Sequence, residues 1–229
     1  MRQGFRVIDS DTHVNPSLDV LLRYADAELR ARLDDLQPYR RTVKVVRGRG
    51  DADDVEASSI LAIKPVRLQR VAGEKPGPAA PQGGGDRGFL SGRTQMVTRQ
   101  PITPRVAEDN AAGRLRDMDL EGRDIDFIIP GPWAYGAPAL APHLTKGLYG
   151  AYHRYMADYC GADARRLKSM VLAPATDPAW SAQVIKEHAR EDWVAAVWPL
   201  LPEGLPVDDP DLEPIWAAAS EADLPIMFH

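Results

Sequence analysis

"LKSMVLAPATDPAWSAQVIKEHAREDWVAAVWPL", residues 167–200, places two short apolar runs on either side of an amphipathic stretch. "LKSMVLAPA" reads as a buried strand. "DPAWSAQVIKEHAR" reads as a helix, with Asp177 as its N-cap and Pro178 in its first turn. "WVAAVWPL" is the next strand. A strand, a helix and a second strand in so short a space form a right-handed crossover between parallel neighbours, buried on both faces.

The same rhythm continues in both directions. Upstream, "LTKGLYGAYHRYMADYCGAD" (144–163) carries Leu148, Tyr152, Tyr155, Met156 and Tyr159 at helical spacing. Before it, "IDFIIPGP" (125–132) is a buried strand stopped by prolines. "AEDNAAGRLRDMDLEG" (107–122) is a helix ending at Gly122, which suits a left-handed cap. Downstream, "DPDLEPIWAAASEAD" (209–223) repeats the Asp-Pro helix start, and "LPIMFH" (224–229) is a further strand. With "FRVIDSD" (5–11) as the first, five strands are expected, the others near 126–130, 168–174, 194–200 and 225–229. Either an open doubly wound sheet or a (β/α)₈ barrel begins this way.

Residues 38–104 break the rhythm. They open with Arg40, Arg41, Lys44, Arg47 and Arg49, and "VKVVRGRG" could turn back as a hairpin. The later "GEKPGPAAPQGGGDRGFLSG" is so rich in proline and glycine that it buries too little apolar surface to offset its ordering entropy. Two roles stand open: a solvated insertion, or a lid whose arginines meet an anionic substrate.

The chain has 229 residues, 44% hydrophobic and 27% charged, with net charge −5. That is long enough for a substantial core and carries no basic excess for nucleic acid. No apolar run approaches a membrane span, and the N-terminus lacks the apolar core of a signal peptide. The single cysteine, Cys160, excludes an internal disulfide and fits a reducing cytoplasm. Its helical setting suggests packing rather than nucleophilic chemistry.

"IDSDTHVNP" (8–16) spaces Asp9, Asp11 and His13 at alternate positions. In a regular strand all three project from one face. Such a triplet is either a polar turn or a metal site.

Four stretches together resemble the amidohydrolase-related group of metal-dependent TIM barrels, which includes aminocarboxymuconate-semialdehyde and resorcylate-type decarboxylases. They are "IDSDTHVNP", "RLRDMDLEGRDIDFIIPGP", "YMADYCGADARRLKSMVLAPATDP" and "LPVDDPDLEPIWAAASEADLPIMFH". The resemblance implies a (β/α)₈ barrel, here cut after about five strands, with its site at the carboxyl ends of those strands. It implies metal ligands at Asp11 and His13, with Asp11 standing where the two-histidine version has a histidine, and a third ligand at His229. Asp9 is expected to support these ligands by hydrogen bonding. The ion is expected to be divalent, zinc first, with manganese or iron as alternatives.

Trp133, Tyr135 and Trp198 follow strands and either stack on a planar substrate or anchor their loops. His143 begins a helix, where capping is the default, and could reach substrate. His153 and His188 are expected to be packing or surface residues. The family pattern also supplies a sixth-strand histidine and an eighth-strand aspartate, the usual general base, which are expected beyond residue 229; this chain alone should be inactive. The resemblance implies hydrolysis of an amide, ester or lactone, with non-oxidative decarboxylation of an aromatic or unsaturated acid as the alternative. Iron-dependent oxygenation and a metal-free binding module stand behind these. The expected partner is a small molecule, anionic or aromatic, and homo-oligomers are common in the family.

Overall fold

A computed structural model describes residues 4–46, 55–63, 110–202 and 204–229. Four parallel strands form its main sheet: β1 (Ile8–Val14), β4 (Ile125–Pro130), β5 (Leu167–Pro174) and β6 (Val194–Leu200), adjacent in that order. Each strand thus lies beside the one before it in the sheet. A doubly wound sheet would reverse direction at a switch point, so the sequential order identifies a partial TIM barrel.

Helices alternate with these strands. α3 (Ala111–Glu121) precedes β4; it starts where the Asn110 side chain accepts from Gly113 N and ends at Gly122, φ 76°, a conformation glycine adopts without strain. α5 (Pro142–Gly161) precedes β5, and its predicted apolar positions Leu148, Tyr152, Tyr155, Met156 and Tyr159 are all buried. Leu148 and Met156, fully enclosed, contribute about 1.5–3 kcal/mol apiece. Tyr149 and Tyr152 keep their hydroxyls satisfied at the Ala134 carbonyl (2.7 Å) and Ser169 Oγ (3.1 Å). α6 (Pro178–His188) precedes β6 and is capped by Asp177 at Trp180 N. α7 (Glu213–Glu221) packs on α6. Cys160 is buried, and burial pushes its thiol up to about 12, so it supplies no thiolate near neutral pH.

Before the excursion lie α1 (Leu18–Arg23), α2 (Ala27–Arg30) and a 3₁₀ turn at Leu33–Tyr39. β2 (Arg40–Val46) then pairs antiparallel with β3 (Val55–Leu61), so the partner strand lies beyond the 43–50 stretch in which a hairpin was expected. Arg40 is held at Ser59 Oγ and Asp19 Oδ1, and Arg41 at the Pro38 and Arg40 carbonyls. Arg47, Arg49 and the proline- and glycine-rich stretch lie outside the described residues. The returning end seats Ile63 against the loop after β4: a Cβ on Gly136 would fall 2.4 Å from the Ile63 carbonyl oxygen.

Three expectations need correction. β1 begins at Ile8 rather than Phe5, because pairing starts level with Ile125 and leaves Phe5 74% exposed. The fifth strand shortens to a single bridge, Val197 to Ile226, held by Val197 N donating to the Pro225 carbonyl and Met227 N donating to the Val197 carbonyl. Pro225 has no N–H to extend that ladder. The third correction is to the alternation in β1. Asp9 pairs with Asp126 but Thr12 with Ile128, so two residues of β1 oppose one of β4. This bulge inverts the phase. Asp9 shares a face with Thr12 and Asp126, whereas Asp11 and His13 share the opposite face.

Candidate metal centre and adjoining cleft

Asp11 and His13 stand in the carboxyl-terminal half of β1, and His229 follows the Ile226 bridge beside β6. Residues more than two hundred positions apart meet here. His229 Nε2 lies 3.0 Å from Asp11 Oδ1, and His13 Nδ1 lies 3.6 Å from the same oxygen. One ligand atom from each residue falls within 4.8 Å of the others. The histidine rings meet edge to face at 5.1 Å. Ligands 2.0–2.2 Å from a common centre stand about 3–4 Å apart, as the 3.0 and 3.6 Å separations at Asp11 Oδ1 do, and one carboxylate with two imidazoles suits Zn²⁺, Mn²⁺ or Fe²⁺. The three residues therefore fit a divalent ion. They form the one such cluster among the described residues.

β1 is fixed from its other face. Arg114, on α3, donates to the His13 carbonyl (2.7 Å), Thr12 Oγ1 (2.6 Å), Asp126 Oδ2 (3.1 Å) and Tyr159 Oη (3.0 Å). Burial alone would lower its pKa; Tyr159 and Asp126 outweigh that and leave it above the ordinary value. Asp126, fully buried, is also paired with Arg123. Asp9 sits in this network, 3.7 Å from Arg123, and its Oδ1 accepts from Asp11 N at 3.2 Å. It braces the main chain of the site rather than sharing the face of Asp11 and His13. Arg114 and Asp126 were not singled out from the sequence. The available signal was an arginine at a stripe position of α3, between Ala111 and Met118, where an apolar residue is expected.

A cleft of about 180 Å³ adjoins the cluster, lined by Tyr135, Trp198, Pro199, Leu200, Phe228 and His229 among others. Tyr135 comes from α4 (Trp133–Gly136), the short helix directly after β4, and Trp198 from the end of β6. Their rings meet edge to face at 4.7 Å, and Trp198 lies 6.0 Å from the His229 ring. Tyr135 Oη is hydrogen-bonded to His229 Nδ1 and donates to the His229 carbonyl at 3.0 Å. Phe228 is a cleft residue the sequence did not mark.

Other candidates lie elsewhere. Trp133 is buried in the core against Tyr149 and Tyr152, at 6.1 and 5.8 Å, and does not line the cleft. His143, at the start of α5, faces Asp35 at 3.7 Å instead of the cleft. His153 is enclosed, its Nε2 accepting from Leu172 N at 2.9 Å, and His188 pairs with Glu191. A second hollow of about 270 Å³, between Tyr24, Asn110, Tyr155 and Asp158, shares no residue with the cluster.

Residues 131–229 match the family model described as amidohydrolase. This segment is similar to that family. The cleft and the third residue of the cluster lie within it, while Asp11 and His13 precede it. A variant of 5-carboxyvanillate decarboxylase from Novosphingobium aromaticivorans, solved with manganese and 3-methoxy-4-hydroxy-5-nitrobenzoic acid, matches over 100% of this chain and 51% of its own, with TM-score 0.57 and 20% identity. An amidohydrolase from Mycobacterium avium subsp. paratuberculosis matches over 97% of this chain and 58% of its own, with TM-score 0.57 and 16% identity. The 5-carboxyvanillate decarboxylase of Sphingomonas paucimobilis matches over 98% and 51%, with TM-score 0.51 and 18% identity. These likenesses show the fold. The chain spans about half the length of the solved structures it matches. No curated protein sequence matches it. Among the described residues, no helix is long and apolar enough to cross a membrane.

Proposed function

We propose that the chain is the metal-holding part of an enzyme that removes CO₂ from a planar aromatic or unsaturated carboxylic acid. One observation carries this reading: a cleft walled by Tyr135, Trp198 and Phe228 opens beside the Asp11–His13–His229 cluster. Aromatic edges and apolar side chains receive a flat ring, while the cluster stands where an anionic group on that ring would lie. Asp11, His13 and His229 would hold the ion, with manganese the first to test and zinc the second. A bound divalent ion supplies Lewis-acid charge for anionic oxygens of the substrate. Tyr135 and Trp198 orient the ring, and Leu200 and Phe228 exclude water from its face. The solved decarboxylases with the same fold, one of them holding manganese and a nitrobenzoic acid, support the choice. Residues 38–104 are read as an insertion within this single partial barrel.

Hydrolysis of an amide, ester or lactone is the second reading, favoured by the amidohydrolase family match. Both reactions would use the same ligands; the aromatic side chains lining the cleft favour decarboxylation.

Titrating the manganese-loaded chain with hydroxybenzoic acids, followed by tryptophan fluorescence, tests the proposal. Saturable quenching that needs manganese and vanishes in Asp11→Ala is expected. No quenching, or equal quenching without metal, overturns it. Release of labelled CO₂ from a carboxyl-labelled acid, against acid release from an ester or lactone, separates the two reactions.

A further inference from the structure

Tyr135 is placed to do more than wall the cleft. Its hydroxyl meets His229 twice, at ring Nδ1 and at the main-chain carbonyl oxygen, 3.0 Å away. The opposite ring nitrogen, Nε2, is the one that faces Asp11 Oδ1 at 3.0 Å. Holding Nδ1 therefore sets the rotation of the ring and the direction in which Nε2 points. A phenol suits this because its oxygen both donates and accepts. When Nδ1 carries the proton, that proton goes to Oη and the phenolic proton to the His229 carbonyl. Nε2 then presents a lone pair toward Asp11 and His13.

The tyrosine is itself immobilised. Its ring packs edge to face on Trp198, which is buried. Its helix, α4, is pinned on one side by buried Trp133 and on the other by the close approach of Ile63 to Gly136. The hydroxyl is thus carried by a fixed ring, as an outer partner of a metal-bound histidine requires.

We infer that Tyr135 is the positioning residue of His229, holding its imidazole so that Nε2 completes a divalent-metal set with Asp11 and His13; this rests on reading those three residues as a metal-holding set. Tyr135→Phe keeps the ring and its packing on Trp198 and removes only the hydroxyl. Two measurements on the whole chain test it. In the metal-free protein, the ¹⁵N resonance of His229 Nδ1 should move in Tyr135→Phe, while those of His143 and His188 stay in place. In zinc titrations by calorimetry, Tyr135→Phe should bind at least about tenfold more weakly than the parent, with an unchanged urea midpoint.

An unmoved Nδ1 resonance, or zinc affinity equal to that of the parent, overturns the inference. A parent chain that binds no zinc, as Asp11→Ala is expected to, overturns the metal reading instead. The Nδ1 resonance still decides whether Tyr135 holds the ring.

Discussion

Arg114 shows how much one side chain can organise. It ties the His13 carbonyl, Thr12, Tyr159 and the buried Asp126 into one network on the far side of β1 from the candidate ligands. Arg114→Met should destabilise the chain by about 3 kcal/mol in urea unfolding, because Asp126 keeps only Arg123 and its buried charge is left under-compensated. His153 acts at the same scale. Burial holds its pKa well below the ordinary 6.5, aided by His188 and Arg154. The unfolded chain thus binds a proton at this position that the folded chain refuses, so stability is complete above about pH 6.5 and falls as the pH drops beneath it. Urea midpoints measured from pH 7.5 to 5 should decline, and His153→Gln should flatten that decline even if its midpoint at pH 7.5 is lower.

Among the elements, caps were the easiest to read. Asp177 and Asp209 start their turns with a side-chain oxygen on a main-chain N–H, and Gly122 ends α3 in the left-handed region; the Asn110 cap, inside the expected helix 107–122, was not read. Gly122→Ala should cost about 1 kcal/mol, measured by thermal or urea unfolding, since a Cβ is disfavoured at φ 76°. Alternation within β1 was harder. Asp9, Asp11 and His13 are evenly spaced, yet a bulge places Asp9 on the helix-facing side with Arg123. A bulge leaves no consistent trace in a short polar stretch, because its position is chosen by the partner strand. β5 and β6, continuously apolar and flanked by proline and aspartate, could be located to within a residue or two.

For the whole molecule, the decisive feature is that β1 and the segment after Leu224 converge on one point. An ion held by Asp11, His13 and His229 would link the two edges of the described sheet. Manganese at about a hundred times its dissociation constant should then raise the unfolding free energy by about 2.7 kcal/mol. Asp11→Ala should show no such gain. Thermal unfolding with and without metal reads both.

What the sequence determined by itself was the order and type of the elements: helices and buried parallel strands taking turns, and an Asp-x-His at the end of the first strand. Those properties are written in local periodicity and capping chemistry, which act over a few residues. Tertiary structure alone decided that Asp9 turns away from Asp11, that Trp133 belongs to the core, and that the Tyr135 hydroxyl meets His229. Each of these depends on which distant surface an element meets, and burial against a partner strand or helix is a property no single stretch of chain contains.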